Sequence, residues 1–462
     1  MNEVIAMLQK HGQHELASYL NQASLECRSG ILRDLAKIDL DAFFEVVKEP
    51  SRLDNRAEGL CEAIASPILS IREVRQEIYR QRGESALKNG ELAFFVVAGG
   101  QGSRLGFEHP KGLFPASPVS GRSLFQIHME KVAAFSRMYG FTPCFVVMTS
   151  PGNHAETEEF IRANNAFGVG FQNVFLFSQG ELPAVDSHGK LILAQPGSLF
   201  LAPDGHGGSL SALVRSGVLD LLAQKGVRYL SYFQVDNPMV AVCDASFLGV
   251  HITHAAEVST KVIAKRDALE KLGNPMTRRG RSFIVEYSDL PETIARKTLP
   301  SGELAHAYGS IGIHMFNLDF VRRVGSGDLR LPFHRAQKKI PCFHFGEREK
   351  GQSFSQESGF TDGTKFEQFV FDAIPLAERT VFVETTRHEE FSPLKNKTGE
   401  DSIETCAQMQ SEFFKGWLSR AGLDTSFVKR CEIAPSFACT ESEFLEKVVG
   451  KQIVLSEDVF ME

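Results

Sequence analysis

Short, almost continuously apolar runs recur through the middle of this chain: LAFFVVAGG (92–100), PCFVVMTS (143–150), NVFLFSQ (173–179), YLSYFQVDN (229–237) and KVIAK (261–265). Runs that do not alternate polar with apolar residues are covered on both faces, which is the condition of a mostly parallel sheet. They alternate with helical stretches, so the pattern predicts a doubly wound α/β layout. In such sheets ligands sit beyond the carboxyl ends of the strands. That rule singles out Gly99, Ser150, Gln179 and Asp236 at the ends of the first four runs.

The flanks read differently. Residues 1–88 carry helical spacing: Val4, Ile5 and Leu8, then Leu16, Tyr19 and Leu20 after a break at Gly12, then LRDLAKIDLDAFFEVV (32–47). This predicts a helical N-terminal region that stops at Asn89-Gly90, ahead of a central domain over 89–378. Within that domain GNPMTRRGRSFIVEYSD (273–289) reads as a hairpin laid over the sheet. The tail, 379–462, holds a strand (TVFVET), a helix (CAQMQSEFFKGWLSRAGL) and a further αβ mixture, and reads as a small C-terminal domain.

A net charge of −7 speaks against non-specific binding to nucleic acid, which needs a dense basic surface. No apolar stretch reaches 18 residues, and the N-terminus lacks the basic start and apolar run of a signal peptide, so no membrane association is expected. The cysteines at 27, 61, 144, 243, 342, 406, 431 and 439 form no CxxC pair. Scattered thiols suit a reducing cytoplasm. His109, His206 and His314 lack metal-ligand spacing, so no zinc site is expected.

The segment richest in chemistry is AGGQGSRLGFEHPKG (98–112). Gly99, Gly100 and Gly102 directly follow a strand, where glycine lets a phosphate or base approach the backbone amides. It is neither a GxxxxGK[ST] loop nor a GxGxxG fingerprint, since Leu105 holds the last position. Arg104 and Lys111 supply two cations beside it, enough to neutralise a triphosphate and its pyrophosphate leaving group.

GGQGSRLG followed by PKG resembles the signature of the UDP-sugar pyrophosphorylases, especially the eukaryotic-type UDP-N-acetylhexosamine pyrophosphorylases. The likeness continues in order through SQGELPA (178–184), APDGHGG (202–208), VDN (235–237), VEYS (285–288), HRAQKKIP (334–341), FEQFVFD (366–372) and FSPLKN (391–396). It implies a Rossmann-like, glycosyltransferase-A-like nucleotidyltransferase domain with a helical N-terminal part and a small C-terminal domain. The implied partners are UTP and a hexose 1-phosphate. Attack of the sugar phosphate on the α-phosphorus needs cations and a metal more than a base, because the nucleophile is already ionised.

The resemblance implies roles for particular residues. Arg104, Lys111 and Lys395 would act on phosphates, and Asp236 would hold Mg²⁺, which takes one or two carboxylates plus substrate phosphates. Ala98, Gly99, Gly100, Gln179 and Gly205 would bind the nucleotide, with the Gln179 amide reading the uracil edge. His206, Glu286, Tyr287, Ser310, Phe369 and Phe371 would face the sugar. The motifs around Lys111, Gln179, Phe369 and Lys395 favour N-acetylglucosamine 1-phosphate. Glucose 1-phosphate is the alternative: the acetylhexosamine enzymes typically carry Asn at the positions of His206 and Ser310, and the UDP-glucose enzymes typically have His in a Gly-His-Gly context. A catalytically silent nucleotide-sugar sensor is a third reading, opposed by the intact Arg104, Lys111, Asp236 and Lys395.

Overall fold

The computed structural model describes residues 1–48, 60, 62–345 and 356–462, with the side chains of 344, 345 and 356–358 excepted; Cys61 lies outside the described residues. The chain divides into two compact units. One comprises Met1–Glu58, Gly180–Gly208 and Leu331–Val370; the other comprises Gly59–Gln179, Ser209–Arg330 and Phe371–Glu462.

The larger unit is built on an eight-stranded sheet. Its strands in chain order are β1 (Ile68–Leu69), β2 (Leu92–Val97), β3 (Phe145–Thr149), β4 (Val174–Ser178), β5 (Tyr229–Gln234), β6 (Val258–Ala264), β7 (Tyr308–Asn317) and β8 (Thr380–Glu384). Their order across the sheet is β1-β8-β6-β7-β5-β2-β3-β4. Only β7 runs against its neighbours, β5 and β6; every other pair is parallel. The apolar runs become strands because both faces are covered: Phe94, Phe95, Phe145, Val146, Tyr232 and Phe233 are wholly buried. The expected mixed, mostly parallel α/β sheet is therefore what forms.

Two expectations change. Residues 1–88 are not helical throughout: Ile68–Leu69 forms an edge of the central sheet, and Ile64–Ala65 joins the Asn274–Arg278/Arg281–Val285 hairpin as a third strand. The hairpin turns at Arg279 (φ 52°) and Gly280 (φ 77°), the paired positive φ of a tight two-residue connection. The tail strand Thr380–Glu384 belongs to the central sheet, parallel to β6, so the C-terminal portion with its own core starts later. That core gathers Trp417, Leu418, Cys431, Ile433 and Phe444 from helices Ile403–Arg420 and Glu441–Val448 and the strand Arg430–Ile433.

In the smaller unit, helices Asn2–Lys10, His14–Gln22, Leu25–Leu35 and Leu40–Lys48 bury Leu8, Leu16, Leu20, Ile31, Phe43 and Phe44 against Val185, Leu193 and Phe366. A long antiparallel ribbon, His334–Phe345 with Gln356–Glu367, pairs further with Val185–Asp186. Gln13 joins helices to ribbon-side loops, donating to Gly189 O at 3.0 Å and accepting from Leu191 N–H at 2.9 Å. Among the described residues no helix is long and apolar enough to cross a membrane.

Candidate active site

The glycine loop leaves the carboxyl end of β2 and is held by its own backbone. Ala98 N–H donates to Met148 O at 2.8 Å, Gly102 N–H to His109 O at 2.9 Å, and Lys111 N–H to Gly100 O at 3.1 Å. Gly99 lies against the Gln179 side chain: a Cβ there would stand 2.7 Å from Gln179 Nε2, so a larger residue would push that amide aside. Ala98, Gly99 and Gln179 are thus brought together, with Gln179 buried at the end of β4. Gly100 has nothing within 4 Å of its would-be Cβ, so its backbone is open to a ligand. Arg104 is exposed on the short turn Ser103–Leu105. Gly112 serves packing, since a Cβ would lie 2.1 Å from the Phe125 ring.

Asp236 sits just past the end of β5, and Lys111 Nζ donates to its Oδ2 at 2.9 Å. The two side chains are 14% and 16% exposed, so the pair is partly desolvated and stronger than a surface ion pair. The 391–396 segment crosses the same place, where Leu394 N–H donates to the Asp236 carbonyl at 2.8 Å. Lys395 follows, half in solvent, with its Nζ 3.5 Å from Asp401 Oδ2. The turn below the strand end is fixed from the helix Leu124–Tyr139. His128 Nε2 donates to Val235 O at 3.0 Å, and burial pushes its pKa down to about 3, so it is neutral. Lys131 donates to Pro238 O at 2.6 Å and Val240 O at 3.1 Å, and burial lowers its pKa to about 8. Among the described residues no three His, Cys, Asp or Glu side chains converge as a metal cluster. Asp236 could hold an ion only as a single carboxylate, the kind of site whose shell is completed by phosphate oxygens and water.

Gly205, His206 and Phe369 come together in the smaller unit. Gly205 (φ 83°) and Gly207 press on the Gln368–Phe369 backbone, where added Cβ atoms would lie 2.5 and 2.7 Å from it. His206 Nδ1 accepts the Val370 N–H at 3.2 Å. Its ring stacks on Phe369 at 5.3 Å and 18°, and His334 meets the same Phe369 ring at 4.2 Å.

The remaining predicted residues lie in the larger unit. Glu286 is half-buried at the end of the hairpin strand Arg281–Val285, and Tyr287 beside it is 45% exposed. Ser310 lies on β7, where its N–H donates to Gly273 O at 2.8 Å and its Oγ accepts from Gly312 N–H at 3.4 Å. Phe371 is buried. Two residues escaped the sequence reading. Asn153 (1% exposed) donates to Ala98 O at 3.1 Å and accepts Ser150 N–H at 2.7 Å, tying the glycine loop to the end of β3. Asn237 donates to Glu390 O at 2.7 Å and accepts Ser392 N–H at 3.0 Å. Both lie just beyond strand ends, where the carboxyl-end rule already points.

The profile of one family, UTP–glucose-1-phosphate uridylyltransferase, matches residues 40–398. UDP-N-acetylglucosamine diphosphorylase 2 of Arabidopsis thaliana is 33% identical over 445 residues, covering 91% of this chain and 85% of its own. UDP-N-acetylglucosamine pyrophosphorylase of Saccharomyces cerevisiae is 30% identical over 433 residues, covering 90% and 87%. The crystal structure of the Trypanosoma brucei uridine diphosphate N-acetylglucosamine pyrophosphorylase superposes with a TM-score of 0.81 over 100% of this chain and 98% of that one, at 23% identity, a likeness of fold.

Proposed function

The chain belongs to the UTP–glucose-1-phosphate uridylyltransferase family, and from that premise we propose that it transfers uridylyl from UTP to N-acetylglucosamine 1-phosphate. A phosphate oxygen of the sugar 1-phosphate bonds to the α-phosphorus of UTP, the bond from that phosphorus to the bridging oxygen breaks, and pyrophosphate leaves. The observation that carries the reading is the Lys111–Asp236 pair at 2.9 Å, set beside the glycine loop and hydrogen-bonded to the strand of chain that bears Lys395. Lys111, Arg104 and Lys395 supply the cations that charge on the leaving group needs. The open Gly100 backbone takes phosphate, and the Gln179 amide beside Gly99 reads uracil.

Asp236 is the proposed carboxylate for Mg²⁺, and a lone, partly buried carboxylate suits that ion better than zinc. Bound there, the ion would add positive charge to the phosphates. Lys111, held beside Asp236, would face the same phosphates.

For the sugar, His206 bears on the choice. Its Nδ1 is one bond from Cγ, as is the Oδ1 of an asparagine, so either residue can accept the Val370 N–H. The His for Asn exchange therefore does not by itself speak for glucose. Phe369, braced by the His206 and His334 rings, is proposed to meet the acetamide methyl, a contact worth about 1–3 kcal/mol. Both named relatives carry N-acetylglucosamine in their names, which supports the same choice. The family's own name favours glucose 1-phosphate as the second reading. Glu286, Tyr287 and Ser310 are proposed sugar-side contacts, and Phe371 a buried support. The described cysteines are all free thiols, which suits a reducing cytoplasm.

The test is pyrophosphate release from UTP and Mg²⁺ with a panel of sugar 1-phosphates. N-acetylglucosamine 1-phosphate should show the highest kcat/KM. A higher value for glucose 1-phosphate overturns the sugar and leaves uridylyl transfer standing; release with none of them supports the silent sensor.

A further inference from the structure

Lys261 lies on β6 with 2% of its side chain exposed, between Asp244 and Glu390. Its ammonium donates to Asp244 Oδ2 at 2.6 Å and to the two Glu390 oxygens at 2.6 and 2.7 Å. Thr385 Oγ1 donates to Glu390 Oε1 at 2.8 Å. Burial works against the Lys261 charge, but the two carboxylates outweigh it and hold its pKa up. Burial likewise works against Asp244, and Lys261 outweighs it, keeping the carboxyl ionised. Uridylyl transfer as derived above uses none of these groups. One cation facing two carboxylates in the interior is a poor source of stability, since apolar side chains of the same volume do as well or better.

What the cluster does hold is the start of the 391–396 segment. The Glu390 carboxylate is clamped to β6 through Lys261, and its carbonyl accepts from Asn237 at 2.7 Å. Asn237 then takes the Ser392 N–H, and the Asp236 carbonyl takes the Leu394 N–H. Lys395 comes next. Its own contact, 3.5 Å from Asp401 with both side chains well exposed, is of the kind that contributes little. Its backbone N–H also donates to Asp401 O at 2.7 Å, so the place of its ammonium is set by the backbone on both sides, the hydrogen-bonded run before it included. Misplacing a catalytic group by about 1 Å can cost about 100-fold in rate.

We propose that Glu390, clamped by Lys261, is a positioning residue that sets the register of residues 390–395 against Asp236-Asn237 and so places Lys395 for transfer. This rests on the reading of Lys395 and Asp236 as transfer groups. Asp244 provides the control. It reaches Lys261 from the N-terminus of the helix Ala245–Thr253 and makes no hydrogen bond to residues 391–395. Glu390→Gln and Asp244→Asn each remove one of the two negative charges facing Lys261, and only the first weakens the anchor of the 391–396 segment.

The experiment compares Glu390→Gln, Asp244→Asn, Lys395→Ala and the Glu390→Gln/Lys395→Ala double variant in full-length protein with UTP, Mg²⁺ and sugar phosphate. Glu390→Gln should lower kcat about tenfold or more with KM for UTP within about threefold of wild type. Asp244→Asn should stay within about threefold in kcat. The double variant should be no worse than Lys395→Ala alone, because the anchor acts through that lysine. Wild-type kcat in Glu390→Gln, equal losses in Glu390→Gln and Asp244→Asn, or multiplied losses in the double variant would each overturn the proposal. A Lys395→Ala enzyme with wild-type kinetics sinks the earlier reading of Lys395 instead. If Glu390→Gln does not fold, Asn237→Ala cuts the same segment from the strand end with the ion cluster intact, and the same loss and the same non-multiplication with Lys395→Ala are expected.

Discussion

At the scale of single residues, the proposed chemistry turns on a carboxylate and an ammonium that pair with each other, Asp236 and Lys111. Asp236→Asn keeps the shape of the side chain and removes its charge. It should lower kcat about 10²- to 10³-fold, as the loss of one preorganised electrostatic contact does. Pyrophosphate release across a magnesium titration measures it, and near-wild-type turnover at limiting Mg²⁺ would remove Asp236 from the metal. Lys111→Ala should lower kcat more than it raises KM for UTP, since its phosphate contact strengthens as charge moves to the leaving group. His206 is read more narrowly than its position in the chain suggests. His206→Asn preserves an acceptor for the Val370 N–H, so the ratio of kcat/KM for acetylated over plain sugar phosphate should hardly move. His206→Leu leaves that N–H without its acceptor and takes the ring from under Phe369, so kcat/KM for the acetylated sugar should fall. A swing toward the acetylated sugar in His206→Asn alone would mean that the imidazole itself selects for glucose.

At the scale of elements, glycines that look alike in the sequence have different jobs. Gly112→Ala would drive a methyl to 2.1 Å from the Phe125 ring, an overpacking worth about 1–3 kcal/mol. Gly100→Ala meets no atom within 4 Å and should leave stability within about 0.5 kcal/mol, while raising KM for UTP if its amide faces phosphate. Thermal unfolding beside UTP kinetics separates the two, and equal destabilisation by both would refute the distinction. The contrast shows what a sequence reading can reach. The parallel strands were legible because burial on both faces writes itself into an unbroken apolar run such as Leu92–Val97. Strand β7 was not, because Tyr308–Asn317 interleaves glycine, serine and histidine with apolar residues and runs backwards between two parallel neighbours. Thr380–Glu384 was legible as a strand, yet its partners are Val258–Val262 and Ile68–Leu69, and pairing over such separations leaves no local trace. Likewise Gly205 and Gly207 were legible as special, but their close neighbour, the Gln368–Phe369 backbone, was not. The Lys111–Asp236 pair joins residues from two loops whose nearness depends on β2 and β5 being sheet neighbours.

At the scale of the whole molecule, the interior carries histidines that the fold keeps neutral, and this sets how stability responds to acid. His251 is wholly buried in the larger unit, with its Nδ1 2.8 Å from Ser259 Oγ and the Tyr229 ring edge-on at 5.6 Å. Burial pushes its pKa from 6.5 down to about 3. Between those values the unfolded chain binds a proton at this residue and the folded chain does not. Stability rises with pH wherever the unfolded state holds more protons, so it must fall as the pH drops below 6.5. For one such histidine the loss between pH 7.0 and 5.0 is about 2 kcal/mol. His128, with a pKa also lowered to about 3, acts in the same direction. His251→Phe keeps a ring beside Tyr229 and removes the titrating group. Its unfolding free energy at pH 7.0 can lie above or below that of the wild type. The informative quantity is the change from pH 7.0 to 5.0 in urea denaturation, which should be smaller in the variant by about 2 kcal/mol. Parallel pH profiles in the two proteins would mean that His251 takes up its proton in the folded state, and the tightly closed interior described here would have to admit charge.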